Sequence, residues 1–181
     1  MTNNKHTIVL AIALSYNYRI AKIPSGYNEL AWGQSLQIST EKYPGGSFEK
    51  DTDEGFVVTK YTIKNPSPTI NERQFIFDEN SKLIKVHITY DLKKILSVST
   101  DFTERLLSKF GRDAKSEKTN RKVNGINIDI NTIQWESTST RILLKIWQAA
   151  GIDGAAGIQI SYLSMDHLRR VNQKKVSEIE F

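Results

Sequence analysis

The sequence predicts an α+β fold, with a mostly antiparallel sheet of about six or seven strands and helices on one face. Three observations predict it. Residues 73–90 alternate apolar and polar side chains along both arms of a hairpin. Residues 98–110 carry apolar side chains at helical spacing. The order along the chain is helix, strands, helix, strands, with short connections that suit antiparallel meanders.

The elements follow in order. Thr7-Ile8-Val9-Leu10-Ala11-Ile12-Ala13-Leu14-Ser15 is a short apolar run behind a polar start that contains Lys5 and His6. Ala13 and Ser15 are small residues at the spacing a signal peptidase accepts, so residues 1–15 read as a secretory signal. The alternative is a buried strand or helix at 7–14, which would place the protein in the cytoplasm. The run is far short of the ~20 residues that span a bilayer as a helix, so no membrane segment is expected after cleavage. Residues 16–181 then form a single domain.

Ser35 is placed to cap a helix over 35–43, in which Leu36, Thr40 and Tyr43 share a face and Pro44-Gly45-Gly46 ends the run. Phe56 to Ile63 reads as a strand, closed by Asn65-Pro66-Ser67-Pro68, whose prolines argue for a loop. Phe75 and Phe77 form one arm of the hairpin, and Ile84, Val86, Ile88 and Tyr90 the other, with Lys85, His87 and Thr89 on the wet side. Phe102, Leu106 and Phe110 define a helix over 100–110 that Gly111 ends. Residues 112–124 read as a polar, basic connection. Ile126 to Trp135, Arg141 to Gln148 and Gly157 to Leu163 read as strands, and 164–174 as a last helix opened by Ser164. The predicted core comprises Leu36, Phe75, Phe77, Ile84, Val86, Ile88, Phe102, Leu106, Phe110, Ile142, Leu144, Ile146, Ile158 and Ile160. Lys42-Tyr43-Pro44-Gly45 and Lys109-Phe110-Gly111 end the two main helices alike, which divides the chain into two helix-plus-meander pseudo-repeats at about 27–91 and 97–164.

The segments "LAWGQSLQISTEKYPGG" and "ERQFIFDENSKLIKVHITY" resemble a repeat of exported bacterial domains, through Trp32, Gly33, Ser35, Tyr43, Gly45, Phe75, Phe77, Leu83 and Val86. The pattern is similar to the small outer-membrane lipoprotein domain of the barrel-assembly machinery and to the repeats of beta-lactamase inhibitory proteins. That resemblance implies an exported scaffold that binds another protein. The chain departs from both in having no cysteine, so the lipid anchor of the first and the disulfides of the second are missing.

Composition narrows the chemistry further. Of 181 residues, 39% are hydrophobic and 25% charged, which excludes a disordered chain. Without cysteine there is no thiol nucleophile, disulfide or Cys-zinc site. The net charge of +5 permits an acidic partner. Ser164, Asp166 and His167 hold the letters of a catalytic triad, but neighbours on one helix do not face one another. Asp51-Thr52-Asp53-Glu54-Gly55 lacks the spacing of a calcium loop and reads as a solvated acidic turn. The glycine-rich stretch 151–157 fits no phosphate-binding motif and reads as an adaptable hairpin loop. No catalytic residue, metal or cofactor is expected.

Two candidate surfaces remain. Arg105, Lys109, Arg112, Lys115, Lys118, Arg121 and Lys122 form a basic stretch, which is either a solvated face or a patch for an acidic protein, an anionic membrane or, more weakly, nucleic acid. Arg141, Lys145 and Trp147 share strand parity, opposite to Ile142, Leu144 and Ile146. With Asp153 in the adjoining loop they are the interface candidates, unless a helix covers that face. The reading is a non-catalytic protein-binding module of the bacterial envelope. A hydrolase whose carboxylates meet only in the fold is the alternative. Export has a direct check: expression of the full gene in a bacterial host should give a mature protein beginning at or near Tyr16 in the exported fraction, by intact mass. Full-length protein confined to the cytosol would show the apolar run to be part of the core.

Overall fold

The computed structural model describes residues 23–98, 101–152 and 155–179; the expected signal segment and Asp153 lie outside the described residues. A two-stranded ribbon, β1 (Gly26–Tyr27) and β2 (Leu30–Ala31), precedes α1 (Leu36–Lys42). Four strands follow: β3 (Ser47–Asp53), β4 (Phe56–Ser67), β5 (Ile70–Phe77) and β6 (Leu83–Tyr90). Then come α2 (Leu92–Val98) and α3 (Phe102–Phe110). Four more strands, β7 (Lys115–Val123), β8 (Ile126–Glu136), β9 (Thr140–Ala149) and β10 (Ala156–Ser164), lead into α4 (Met165–Ile179). The eight long strands form one antiparallel sheet in the order β3-β4-β5-β6-β10-β9-β8-β7. Each set of four is a meander, and the last strands of the two sets, β6 and β10, pair at the centre.

The pleat sends alternate residues to opposite faces. Register places Phe75, Val86, Tyr162, Ile142 and Trp135 in one row across the sheet. Ile88, Ile160, Leu144 and Ile133 form the next. These rows build the main core together with Tyr27 and Leu30 of the ribbon, Ile95 of α2 and Phe110 of α3, while Leu36 of α1 and Phe102 and Leu106 of α3 pack at its margin. Ser35 caps α1 by accepting from the Ile38 N–H. Trp135 fixes the end of α3: its Nε1–H donates to the Gly111 carbonyl at 2.7 Å, and its ring meets Phe110 edge-on.

The opposite face is covered at one end by α4. The His167 ring stands edge-on to Phe56, Arg170 pairs with Asp78, Lys174 donates to the Gly55 carbonyl, Lys175 pairs with Glu54 and Arg169 donates to the Thr138 carbonyl. Beneath this end lies a second cluster of Val58, Ile76 and Ile84. α4 therefore stands apart from the three helices whose residues join the main core, which modifies the expectation of helices on one face.

Several sequence expectations are corrected. The sheet has eight strands, because both polar edges, 47–53 and 115–123, pair into it. The acidic segment is the end of β3: Asp51 pairs with Lys60 and Asp53 with Lys85, and the turn itself is Glu54-Gly55, both at positive φ. β4 runs through Pro66 because the irregular register between Lys64 and Ser67 absorbs it. Ile84 is the extra residue of a bulge, since Ile76 pairs with Lys85 but Phe77 with Leu83; this turns Ile84 away from the row of Val86 and Ile88. Lys85, expected on a wet face, is buried against Asp53. Leu36, Phe102, Leu106 and Ile146 are only partly buried.

Leu144 is wholly buried in the main core between Ile133 and Ile160, so Leu144→Ala should cost about 3–4 kcal/mol in a denaturant melt. Val123→Ala, at the exposed end of the edge strand, should shift the midpoint hardly at all.

Candidate interaction surface

The α4 face of the sheet is open at its far end. There β9 presents Leu143, Lys145 and Trp147, β8 presents Ile130, Thr132 and Gln134, and β10 presents Gln159. β7 adds Lys115, Glu117, Thr119 and Arg121 at the edge. The contacts of α4 fall at Phe56, Glu54, Gly55, Asp78 and Thr138, on the side of the sheet where β9 begins. Trp147, seven residues further along β9, is 37% exposed.

Trp147 keeps an ordered position because its cross-strand partner is Gly157. A Cβ built on Gly157 would come within 2.6 Å of indole Cε2, Cζ2 and Nε1, so the ring lies flat across the glycine backbone. One ring face packs on the sheet and the other is left to solvent. Arg141 is committed to Glu136 through a 2.8 Å hydrogen bond, so it serves the strand pair more than the surface. Lys145, Lys115 and Arg121 have no carboxylate within ion-pairing distance among the described residues.

The basic stretch does not form one patch. Lys115–Lys122 is edge strand rather than loop, and its alternation sends Lys115 and Arg121 to the Trp147 face but Lys118 and Lys122 to the other. Arg105, Lys109 and Arg112 stay with α3, where Arg112 pairs with Glu104 and Lys109 lies over the Phe110 ring. The exposed charges also guard the sheet edge against pairing with another chain.

Clefts among the described residues include three that border the sheet. The largest of these, about 570 Å³, lies at the β7–β8–β9 end of the sheet, and its lining includes Lys118, Asp129, Ile130, Asn131, Trp147 and Gln148. A smaller one of about 260 Å³ lies under the β9–β10 loop and shares Asp129 and Gln148 with it. The third, about 500 Å³, is formed by the β1–β2 ribbon and Ser137–Ser139 and contains Glu29. Each holds one carboxylate among its described lining residues, and His87 lines none of them.

His87 and Ser161, unremarked as a pair in the sequence, share a 2.7 Å hydrogen bond across β6 and β10. The contact uses Nδ1. Burial, with the Lys85 charge next, pushes the imidazole down to about 4. Asp53, the carboxylate whose charge acts on the ring, is held by Lys85. The pair is a buried polar tie, and lacks the carboxylate that orients the base of a triad. Comparison with known families, characterised proteins and solved structures returned no match.

The His87 shift sets a pH dependence. The folded value lies below the usual 6.5, so the unfolded chain takes up the proton first as pH falls. The stability this represents is complete above about pH 6.5 and is lost as pH drops toward 4. Thermal melts of the parent and of His87→Gln should diverge by about 2 kcal/mol between pH 7 and pH 5, the parent losing more. His167, also lowered by burial and by Lys85, is present in both chains and cancels.

Proposed function

We propose that the chain is a non-catalytic protein-binding module that takes an acidic protein partner on the open sheet face around Trp147. The observation that carries this reading is the indole laid flat on Gly157 with its outer face exposed, on the same sheet face as Lys145, Lys115 and Arg121, which lack acidic partners among the described residues. An ordered aromatic anchor costs little conformational entropy on binding, and the surrounding cations favour an acidic surface. The sequence resemblance to exported binding repeats supports the same class. So does the strand order, which is palindromic about β6 and β10 and suits two helix-plus-meander repeats placed back to back. We place the protein in the periplasm or outside the cell on the strength of its signal-like N-terminus. No described helix is long and apolar enough to cross a membrane.

The nucleic-acid reading is weakened by the division of the basic stretch between two sheet faces, which leaves no continuous cationic track. The hydrolase reading requires two carboxylates or His87 in one cleft, an arrangement that the three clefts described above do not provide among their described residues.

Trp147→Ala tests the proposal. The variant should melt within about 1 kcal/mol of the parent, while an acidic protein captured by the parent from an envelope extract should bind it at least roughly thirtyfold more weakly. Lys145→Glu should weaken the same complex and reduce its salt dependence. A loss of about 3–5 kcal/mol in the melt would instead make Trp147 core. Unchanged binding in both variants would remove the face from consideration.

A further inference from the structure

Arg73 occupies a position that the sheet otherwise gives to the core. It lies on β5, two and four residues before Phe75 and Phe77, and shares their face, opposite Ile63 on β4 and Ile88 on β6. Its guanidinium lies 5.0 Å from the centroid of the Tyr43 ring and 5.8 Å from that of Tyr27. Both rings are held from behind. The Tyr43 carbonyl accepts from the Tyr61 hydroxyl at 2.8 Å, and the Tyr43 hydroxyl accepts from the Asn28 amide at 3.2 Å. Tyr27 is buried and packs edge-on against Tyr162 at 5.1 Å.

Two demands of this arginine are unmet. Its Nε is buried and has no hydrogen-bond partner. No carboxylate among the described residues lies within ion-pairing distance of the guanidinium. Neighbouring phenols do not supply the charge: burial raises Tyr27, and raises Tyr90 to about 12, so both are neutral at ordinary pH. A cation this enclosed, with a donor left over, is costly unless something arrives to balance it. The side chain remains partly open to solvent, so an arrival is possible.

We propose that Arg73, walled by Tyr27 and Tyr43, is a binding subsite for a carboxylate supplied from outside the domain. A planar carboxylate balances the charge and accepts from the solvent-facing N–H groups of the guanidinium in the paired geometry that arginine favours, while Nε stays buried behind them. The aromatic walls hold the guanidinium plane in place before the ligand comes, which lowers the ordering cost. The site lies on the face opposite Trp147 and does not depend on the binding role given to that residue.

The test uses the whole chain, labelled with nitrogen-15, and follows the Arg73 Nε–Hε resonance. Sodium acetate and an end-capped tetraglutamate peptide are titrated separately, with sodium chloride at matched ionic strength as the control. The resonance should shift saturably with acetate, with the peptide or with both, and not with chloride. A peptide that saturates at least roughly tenfold below acetate would identify protein side chains as the source, whereas equal affinity per carboxylate would identify a free small acid. Arg73→Lys should weaken the rise in melting temperature with the same probes by on the order of tenfold. A resonance that stays put with both probes overturns the proposal, as does an equal stabilisation of parent and Arg73→Lys. Should that variant fail to fold, the parent resonance alone decides.

Discussion

The pairing of β6 with β10 is the contact on which the rest of this structure depends. It joins residues 68 to 78 positions apart, with Val86 opposite Tyr162 and Ile88 opposite Ile160. Without it there would be two four-stranded meanders, each with an unpaired central edge and half a core. With it, one apolar row runs from β5 to β8 and the next from β6 to β8, and α2 and α3 have a single surface to cover. Strands brought together over such a distance pay their loop-closure entropy before any contact repays it, so the seam is expected to form late and cooperatively. The seam also brings His87 to Ser161, which ties the polar side of the same two strands.

The two faces of this sheet are then treated differently. One is covered by the ribbon and helices, and the apolar rows account for that. The other carries lysines, glutamines and threonines and is covered only where α4 reaches. Lys85 shows the consequence: close to α4 it is buried and answered by Asp53, whereas Lys145 on the open end keeps its charge in solvent. Burying a lysine without its carboxylate would cost several kcal/mol, so the limit of α4 is also a limit on where unpaired cations can sit. The open end is left with a cationic surface around one aromatic, and the flat seat at Gly157 explains how that aromatic stays ordered without a covering element.

Much of this was legible in the sequence, and the misses have identifiable causes. The hairpin at 73–90 and the helix around Phe102, Leu106 and Phe110 were readable because one side of each is apolar. The edge strands β3 and β7 were not, because nearly every residue in them is exposed and neither face writes a period into the sequence. The bulge at Ile84 hid because an alternating pattern gives no sign that a strand has taken in an extra residue. Arg73 did leave a signal, the parity it shares with Phe75 and Phe77, but its meaning rests on Tyr27 and Tyr43, which belong to other elements.

By itself the sequence determined the class of the fold, the two helix-then-meander halves, the main core rows and the outward parity of Lys145 and Trp147, since each follows from a local period of two or 3.6 residues. The tertiary structure alone decided which strands meet at the centre, which face α4 covers, how the basic stretch is divided between faces, and that Trp147 rests on a glycine while Arg73 stands between two tyrosines. These are encounters between residues distant in the chain. A local period says which way a side chain points, and only the register of the assembled sheet says what it meets there.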